Sequence, residues 1–358
     1  MTATILPASA SDLQPASARP RAIAHWLLFV AGLIFLMVIV GGITRLTESG
    51  LSITEWKPIA GAIPPLTEAQ WEHAFALYQR TQEYQQVNRG MSLAEFKNIF
   101  VWEYLHRLLG RVIGLAFALP LLWFAAKRAI PAGYGPRLLL LLVLGGLQGA
   151  IGWWMVVSGL AQRTDVSHVR LAVHLLMALF IFGVIVWTTL DLLSPGAARR
   201  RMPTLGIWTL SALGLQLMLG AFVAGLDAGY AFNSWPLMGH ELYPAAAPWL
   251  EPALRNLVDN PITVQFVHRW WAFVVLAFVV VLARRVKAAG GRRESMLIHS
   301  AVGTQILLGI WTLLSGVDLV VAVAHQGMGV LLLATTLTAA HKLQLLRDAR
   351  PRAAPAAS

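Results

Sequence analysis

The 358-residue chain contains no cysteine. That excludes disulfides, thiolate zinc sites, iron–sulfur clusters and covalently attached c-type haem. Any metal would have to be held through histidine, methionine or carboxylate. Charge is also scarce, at 13% of residues against 57% hydrophobic, too little for a soluble protein of this length. Acidic residues are the scarcest charged class, 17 against 28 lysines and arginines, for a formal net charge of +11. Such a surplus invites a nucleic-acid reading, but the basic residues gather at the ends of apolar blocks. That is the distribution of the positive-inside rule, and it argues against nucleic acid.

What the chain has instead is apolar length. Blocks of about 20 residues, each enough to cross a bilayer core, recur at 23–43, 101–126, 137–158, 168–193, 204–225, 262–284, 295–315 and 319–342. The reading is an all-α polytopic membrane protein with eight transmembrane helices. Residues 1–20, rich in Ala, Ser and Pro, read as a disordered cytoplasmic tail rather than a cleaved signal peptide, and 346–358 as a second tail. The polar segment 44–100 is too long for a simple turn and is read as functional. In it, Thr67-Glu68-Ala69-Gln70 and Ser92-Leu93-Ala94-Glu95 are capping-box patterns. They predict one or two short helices on the membrane surface, with the Pro58 and Pro64-Pro65 stretch extended. Arg19 and Arg21, the Lys127–Arg137 group, Arg199-Arg200-Arg201, the Arg284–Arg293 group and the Lys342–Arg350 group all fall on one side. Both termini are then cytoplasmic and segment 44–100 is external.

The two halves repeat. Gly41 to Gly50 aligns with Gly220 to Gly229, which sets Glu48 opposite Asp227. His106-Arg107 aligns with His268-Arg269, the run Gln148 to Trp154 with Gln305 to Trp311, and His174 with His325. A parallel repeat of this kind predicts two tandem pseudo-symmetric four-helix bundles, 21–195 and 203–345, joined by a cytoplasmic linker at 196–202.

The repeat puts His106, His174, His268 and His325 near the external ends of spans two, four, six and eight. A single intramembrane histidine is usually just a hydrogen-bonded polar residue. Four in register suggest two sites, each with facing histidines that grip haem iron from both sides. A bare histidine metal site fits less well, because Glu103 is the one carboxylate beside a repeated histidine. The remaining six, His25, His73, His168, His240, His299 and His341, do not repeat and read as interfacial or loop residues. Arg107 and Arg269 directly follow the ligand candidates, and a guanidinium can pair with a haem propionate. Arg45 and Lys57 are further candidates for that task. The competing reading for all of them is snorkelling at the membrane interface.

Glu103 lies one turn from His106, whereas its counterpart Gln265 keeps the shape and loses the acid. Ionisable groups in a membrane span point to function, and a partly buried carboxylate can act as acid, base or nucleophile. The asymmetry suggests a reaction site in the N-terminal half and an inert haem in the C-terminal half. The plainer alternative is a salt bridge from Glu103 to Arg107 or Arg111.

The stretch Gly41-Gly42-Ile43-Thr44-Arg45-Leu46-Thr47-Glu48-Ser49-Gly50-Leu51-Ser52, then Glu55-Trp56-Lys57-Pro58 and Glu103-Tyr104-Leu105-His106-Arg107, closely resembles the haem A synthase family. Gly225-Leu226-Asp227-Ala228-Gly229, Phe232-Asn233-Ser234-Trp235-Pro236-Leu237-Met238 and the pair His268 and His325 are similar too, so the resemblance covers nearly all of 20–345. It implies oxidation of a methyl group of haem O to a formyl group by successive hydroxylations. Carried over by motif, His106 and His174 would hold substrate haem O, Glu103 would be catalytic, and His268 and His325 would hold a haem b cofactor. Some members carry cysteine pairs in the external loops. This chain has none, as in the branch typical of proteobacteria and mitochondria, and a bacterial inner membrane is the expected location. An electron donor is required, and contact with a haem O synthase, with oxidase assembly factors or with a second copy of the chain is compatible with the sequence.

Other functions compete. A di-haem cytochrome b carrying electrons explains the histidines but not the Glu103/Gln265 difference. A haem carrier without chemistry would lose nothing on removal of Glu103, and a transporter would require a broken mid-membrane helix that the sequence does not signal.

Overall fold

The computed structural model describes residues 17–57, 59–194 and 198–349. Pro58, most of the N-terminal tail, part of the 196–202 linker and the end of the C-terminal tail lie outside the described residues.

All eight predicted spans are helices long and apolar enough to cross a membrane. In chain order they are α1 (Pro20–Leu46), α4 (Leu93–Ala126), α5 (Gly135–Gln162), α6 (His168–Leu193), α7 (Thr204–Gly225), α8 (Pro261–Ala289), α9 (Arg292–Leu314) and α10 (Leu319–Asp348). Two short helices, α2 (Glu68–Tyr78) and α3 (Gln82–Gln86), lie between α1 and α4. Among the described residues no strand forms, and the protein is an all-α, multi-pass membrane protein.

Several boundaries differ from the sequence expectation, each for a local reason. Pro20 sits in the first turn of α1, where its missing N–H costs nothing, so the helix starts inside the segment read as a tail. Residues 17–19 are also held: Ser17 Oγ donates to Arg128 O at 2.7 Å and Arg19 N to Ala129 O at 2.9 Å. At its far end α1 continues through Leu46 and is closed by Thr47 N, which donates to Ile43 O at 2.9 Å. Thr44 and Arg45 therefore belong to a helix and not to the loop. The capping box at Thr67 opens α2 as predicted, but the one at Ser92 opens α4 itself rather than a separate surface helix. Helix α3 is started by Thr81, whose hydroxyl accepts from Tyr84 N. The connection between α1 and α4 is thus 47–92, resting on an aromatic core of Tyr78, Phe96 and Phe100 packed by Trp71, Phe75 and Tyr84.

Helices α1, α6, α7 and α10 form the centre, with α4 and α5 on one flank and α8 and α9 on the other. Lipid offers no hydrophobic drive between spans, so close approach and dispersion hold them together. Gly327 of α10 lets Ile39 of α1 come so near that a Cβ there would lie 2.6 Å from it. Gly42 of α1 makes the reciprocal approach to Gln326, whose Nε2 donates to Val38 O at 2.9 Å.

Asp191, fully buried near the end of α6, accepts from Arg137 of α5 at 2.9 Å, lies 3.1 Å from His341 Nε2 of α10, and accepts from the Arg200 backbone N–H at 3.1 Å. One carboxylate thereby joins two central helices, one flank and the linker.

Candidate haem sites and the external clasps

Each of the four repeated histidines rests on a glycine of a neighbouring helix. A Cβ on Gly41 of α1 would lie 3.0 Å from His106 Cε1 of α4, and one on Gly220 of α7 would lie 3.0 Å from His268 Cε1 of α8. On the other members of the pairs, Gly152 of α5 meets His174 of α6 and Gly309 of α9 meets His325 of α10, both at 2.8 Å. A side chain at any of these four points would crowd the imidazole. His106 lies near His174, and His268 near His325.

Glutamines complete these surroundings, and the sequence reading had assigned them no role. Gln148 Nε2 lies 3.1 Å from His174 Nδ1, Gln216 Nε2 lies 3.3 Å from His268 Nδ1, and Gln305 Nε2 lies 3.5 Å from His325 Nε2. The recurrence of Gln148 and Gln305 in the internal repeat was the available signal. Gln216 has no such mate, since Met37 occupies the matching place. His106 Nδ1, His325 Nδ1 and the Oε1 atoms of all three glutamines are buried without a protein partner. Buried polar atoms are normally satisfied, so these orphans together with the glycine cradles fit a group that arrives from outside the chain. Facing imidazoles in a helix bundle are the donor set of a six-coordinate haem iron.

Above each pair, the next turn of the same helix clasps a connecting loop. Glu103 is 3% exposed. Its Oε2 accepts from Ser52 Oγ and from Ile53 N, both at 2.7 Å, and its Oε1 accepts from Arg107 Nη2 at 2.6 Å. Arg107 also donates to Ile53 O at 2.7 Å and Glu55 O at 3.2 Å. The salt bridge anticipated as the plainer reading of Glu103 is present, to Arg107. In the C-terminal half Gln265 is 1% exposed and donates from Nε2 to Phe232 O at 3.0 Å. Arg269 donates to Ser234 O at 2.8 Å and Phe232 O at 2.9 Å. The clasps match in position and oppose in polarity: the carboxylate receives hydrogen bonds from its loop, whereas the amide donates to its own.

Arg45 reaches across the halves, with Nη2 2.7 Å from Asp227 Oδ2 and Nη1 3.9 Å from Asp165 Oδ1. Its Nε, like that of Arg269, is buried without a partner. Lys57 pairs with Glu55 at 2.8 Å on the exposed surface. Glu48 and Asp227, opposite one another in the repeat, both take left-handed backbone, φ +50° and +51°.

Two histidines read as interfacial or loop residues are buried and paired with carboxylates. His341 is 4% exposed against Asp191, and His168 is 8% exposed with Nε2 3.2 Å from Asp259 Oδ1. Sequence position gives depth along a helix but not which face packs inward. His25, His73, His240 and His299 are exposed, as that reading implied.

Outside the spans, Glu83 of α3 is 4% exposed, and its Oε2 has no hydrogen-bond partner. Burial first, and then the carboxylates Glu103, Asp165 and Glu48, push its pKa up to about 8. Burial likewise raises that of the neighbouring Tyr78 phenol.

Residues 24–337 match the model of a family described as cytochrome oxidase assembly protein. A heme A synthase of Rhizorhabdus wittichii is 54% identical over 91% of this chain and 95% of its own length. One from Novosphingobium aromaticivorans is 52% identical over 94% and 99%, and one from Sphingopyxis alaskensis is 51% identical over 94% and 97%. With the fold, the paired histidines and a match that runs almost end to end, the chain belongs to the cytochrome oxidase assembly protein family that includes these heme A synthases.

Proposed function

We propose that the chain is a haem A synthase, which converts a methyl group of haem O to a formyl group, and that the reaction takes place in its N-terminal half. The observation that carries the assignment of the half is the opposed polarity of two otherwise matching clasps, Glu103 over His106 and Gln265 over His268. The close relatives and the paired imidazoles support the reaction class.

In this reading His106 and His174 hold the substrate haem, and His268 and His325 hold a haem b. The haem b, when bound, supplies one-electron transfer. Each hydroxylation of the methyl carbon replaces C–H by C–OH, and the resulting gem-diol loses water to give the formyl group. With water as the oxygen source, each hydroxylation gives up two electrons to an external electron acceptor and releases two protons, which need a proton acceptor. Glu103, one turn from His106, is that acceptor, and Ser52 and Arg107 fix its two oxygens. Arg107 and Arg269 close the external loops over the adjacent histidines. With Arg45 they are positioning residues for propionates, to which the unpartnered Nε atoms of Arg45 and Arg269 are suited. The halves 21–195 and 203–345 act as tandem, pseudo-symmetric units. The basic clusters support cytoplasmic termini and haem sites toward the external side of a bacterial inner membrane.

The test is extraction and mass analysis of haem from the purified wild type and from Glu103→Gln, which installs the residue of the other half. Haem b with haem O or haem A in the wild type, and haem O or a hydroxylated intermediate accumulating in the variant, is the expected result. Two equivalents of haem b in both, with no farnesylated haem, would overturn it in favour of an electron-carrying cytochrome b.

A further inference from the structure

Gly145, Gln148, Gly149 and Gly152 share one face of α5, by the i, i+3, i+4, i+7 spacing. Gly152 meets the His174 ring and Gln148 approaches its Nδ1, so this face is turned to the N-terminal histidine pair. The matching face of α9 is Val302, Gln305, Ile306 and Gly309, which meets His325 in the same way. The two faces agree at the glutamine and at the glycine beneath the histidine. They differ at the other two positions. Val302 is 4% exposed within the core and Ile306 packs against that core. At Gly145 and Gly149 a Cβ would meet nothing within 4 Å. Helix α4 also touches α5 along a much shorter seam than α8 touches α9. The N-terminal half is therefore open on the flank where the C-terminal half is filled by two branched side chains. An orphaned polar atom, Gln148 Oε1, is buried on the same face.

Resting on the function proposed above, we infer that Gly145 and Gly149 set which haem each half accepts: the open α4–α5 flank takes the isoprenoid tail of haem O, and Val302 and Ile306 deny that tail to the C-terminal site. Haem O and haem b share the ring and the propionates, so iron ligands and arginines cannot sort them. The tail is the large difference, and bulk at two positions of one helix face sorts on size.

The experiment installs the α9 residues in α5, as Gly145→Val with Gly149→Ile in the full-length protein. Turnover is compared on haem O and on a haem carrying a hydroxyethyl group where haem O carries its farnesylated side chain. Expected is a drop of about tenfold or more in kcat/KM for haem O, with the tail-free substrate changed by less than about twofold. The haem b spectrum and Tm serve as checks on folding. Equal losses on both substrates, or no loss on either, would overturn the inference. A reciprocal variant, Val302→Gly with Ile306→Gly, is expected to carry farnesylated haem in excess of one equivalent, and wild-type haem content there would also overturn it. If the wild type itself oxidises neither haem, the proposed function fails instead, so the two failures are distinct.

Discussion

Arg45 Nη2 stands 2.7 Å from Asp227 Oδ2, although the residues are 182 apart in the chain. Each closes the helix end of its own half, Arg45 in the last turn of α1 and Asp227 just beyond α7. The pair holds the end of α1 and the turn after α7 at a fixed spacing. Electron exchange between paired haems would depend on that spacing.

The Arg45–Asp227 coupling is open to a double-mutant cycle. Arg45→Ala and Asp227→Ala should each lower stability, with a coupling energy of about 1 kcal/mol, because Asp227 is partly exposed and solvent screens the pair. Thermal unfolding in detergent reads it, and strict additivity would show that the contact carries no energy.

Ser52→Ala removes one of the hydrogen bonds that orient Glu103 and leaves the backbone bond from Ile53 in place. A loss of about 1 kcal/mol of orientation predicts a fall in kcat of about fivefold, with haem content unchanged. Steady-state assays with a haem titration check this. Loss of haem instead would assign Ser52 to folding.

Gly309→Ala puts a methyl group 2.8 Å from the His325 ring. The ring must turn away, so haem b occupancy should fall while substrate binding at the other pair is retained. Absorbance of the purified variant and of its extracted haem measures the occupancy. A fully loaded variant would mean that α9 and α10 can part without cost.

For Glu83 the folded pKa, about 8, lies above the ordinary carboxyl value of 4.5. The native state therefore holds this proton over a range of pH in which the unfolded chain has released it. Stability from this group is full below about pH 4.5 and declines as pH rises through about 8. Glu83→Gln should flatten the decline in Tm between those limits, and identical slopes in the variant and the wild type would count against the buried placement of the side chain.

Much of this arrangement is legible in the sequence, because a bilayer imposes a simple code. Apolar blocks gave every span centre, and the internal repeat singled out His106, His174, His268, His325 and the odd acid Glu103. What escaped are contacts between faces. Asp191, Arg137 and His341 are unremarkable one at a time, and only packing of α5, α6 and α10 makes them a cluster. Helix ends were also missed, since hydropathy falls off at Thr44 and before Val101 while local hydrogen bonds carry the helices on. Gln216 went unnoticed because the repeat has no glutamine at the matching place.

The buried carboxylate of Asp191 also bears on how the chain is made. Its partner Arg137 lies 54 residues upstream, so the α5–α6 hairpin can leave the translocon with its charge already matched. His341 follows 150 residues later, on the final helix. Asp191 is therefore matched within its own hairpin before α10 is made, and α10 adds His341 to a carboxylate that already has its cation.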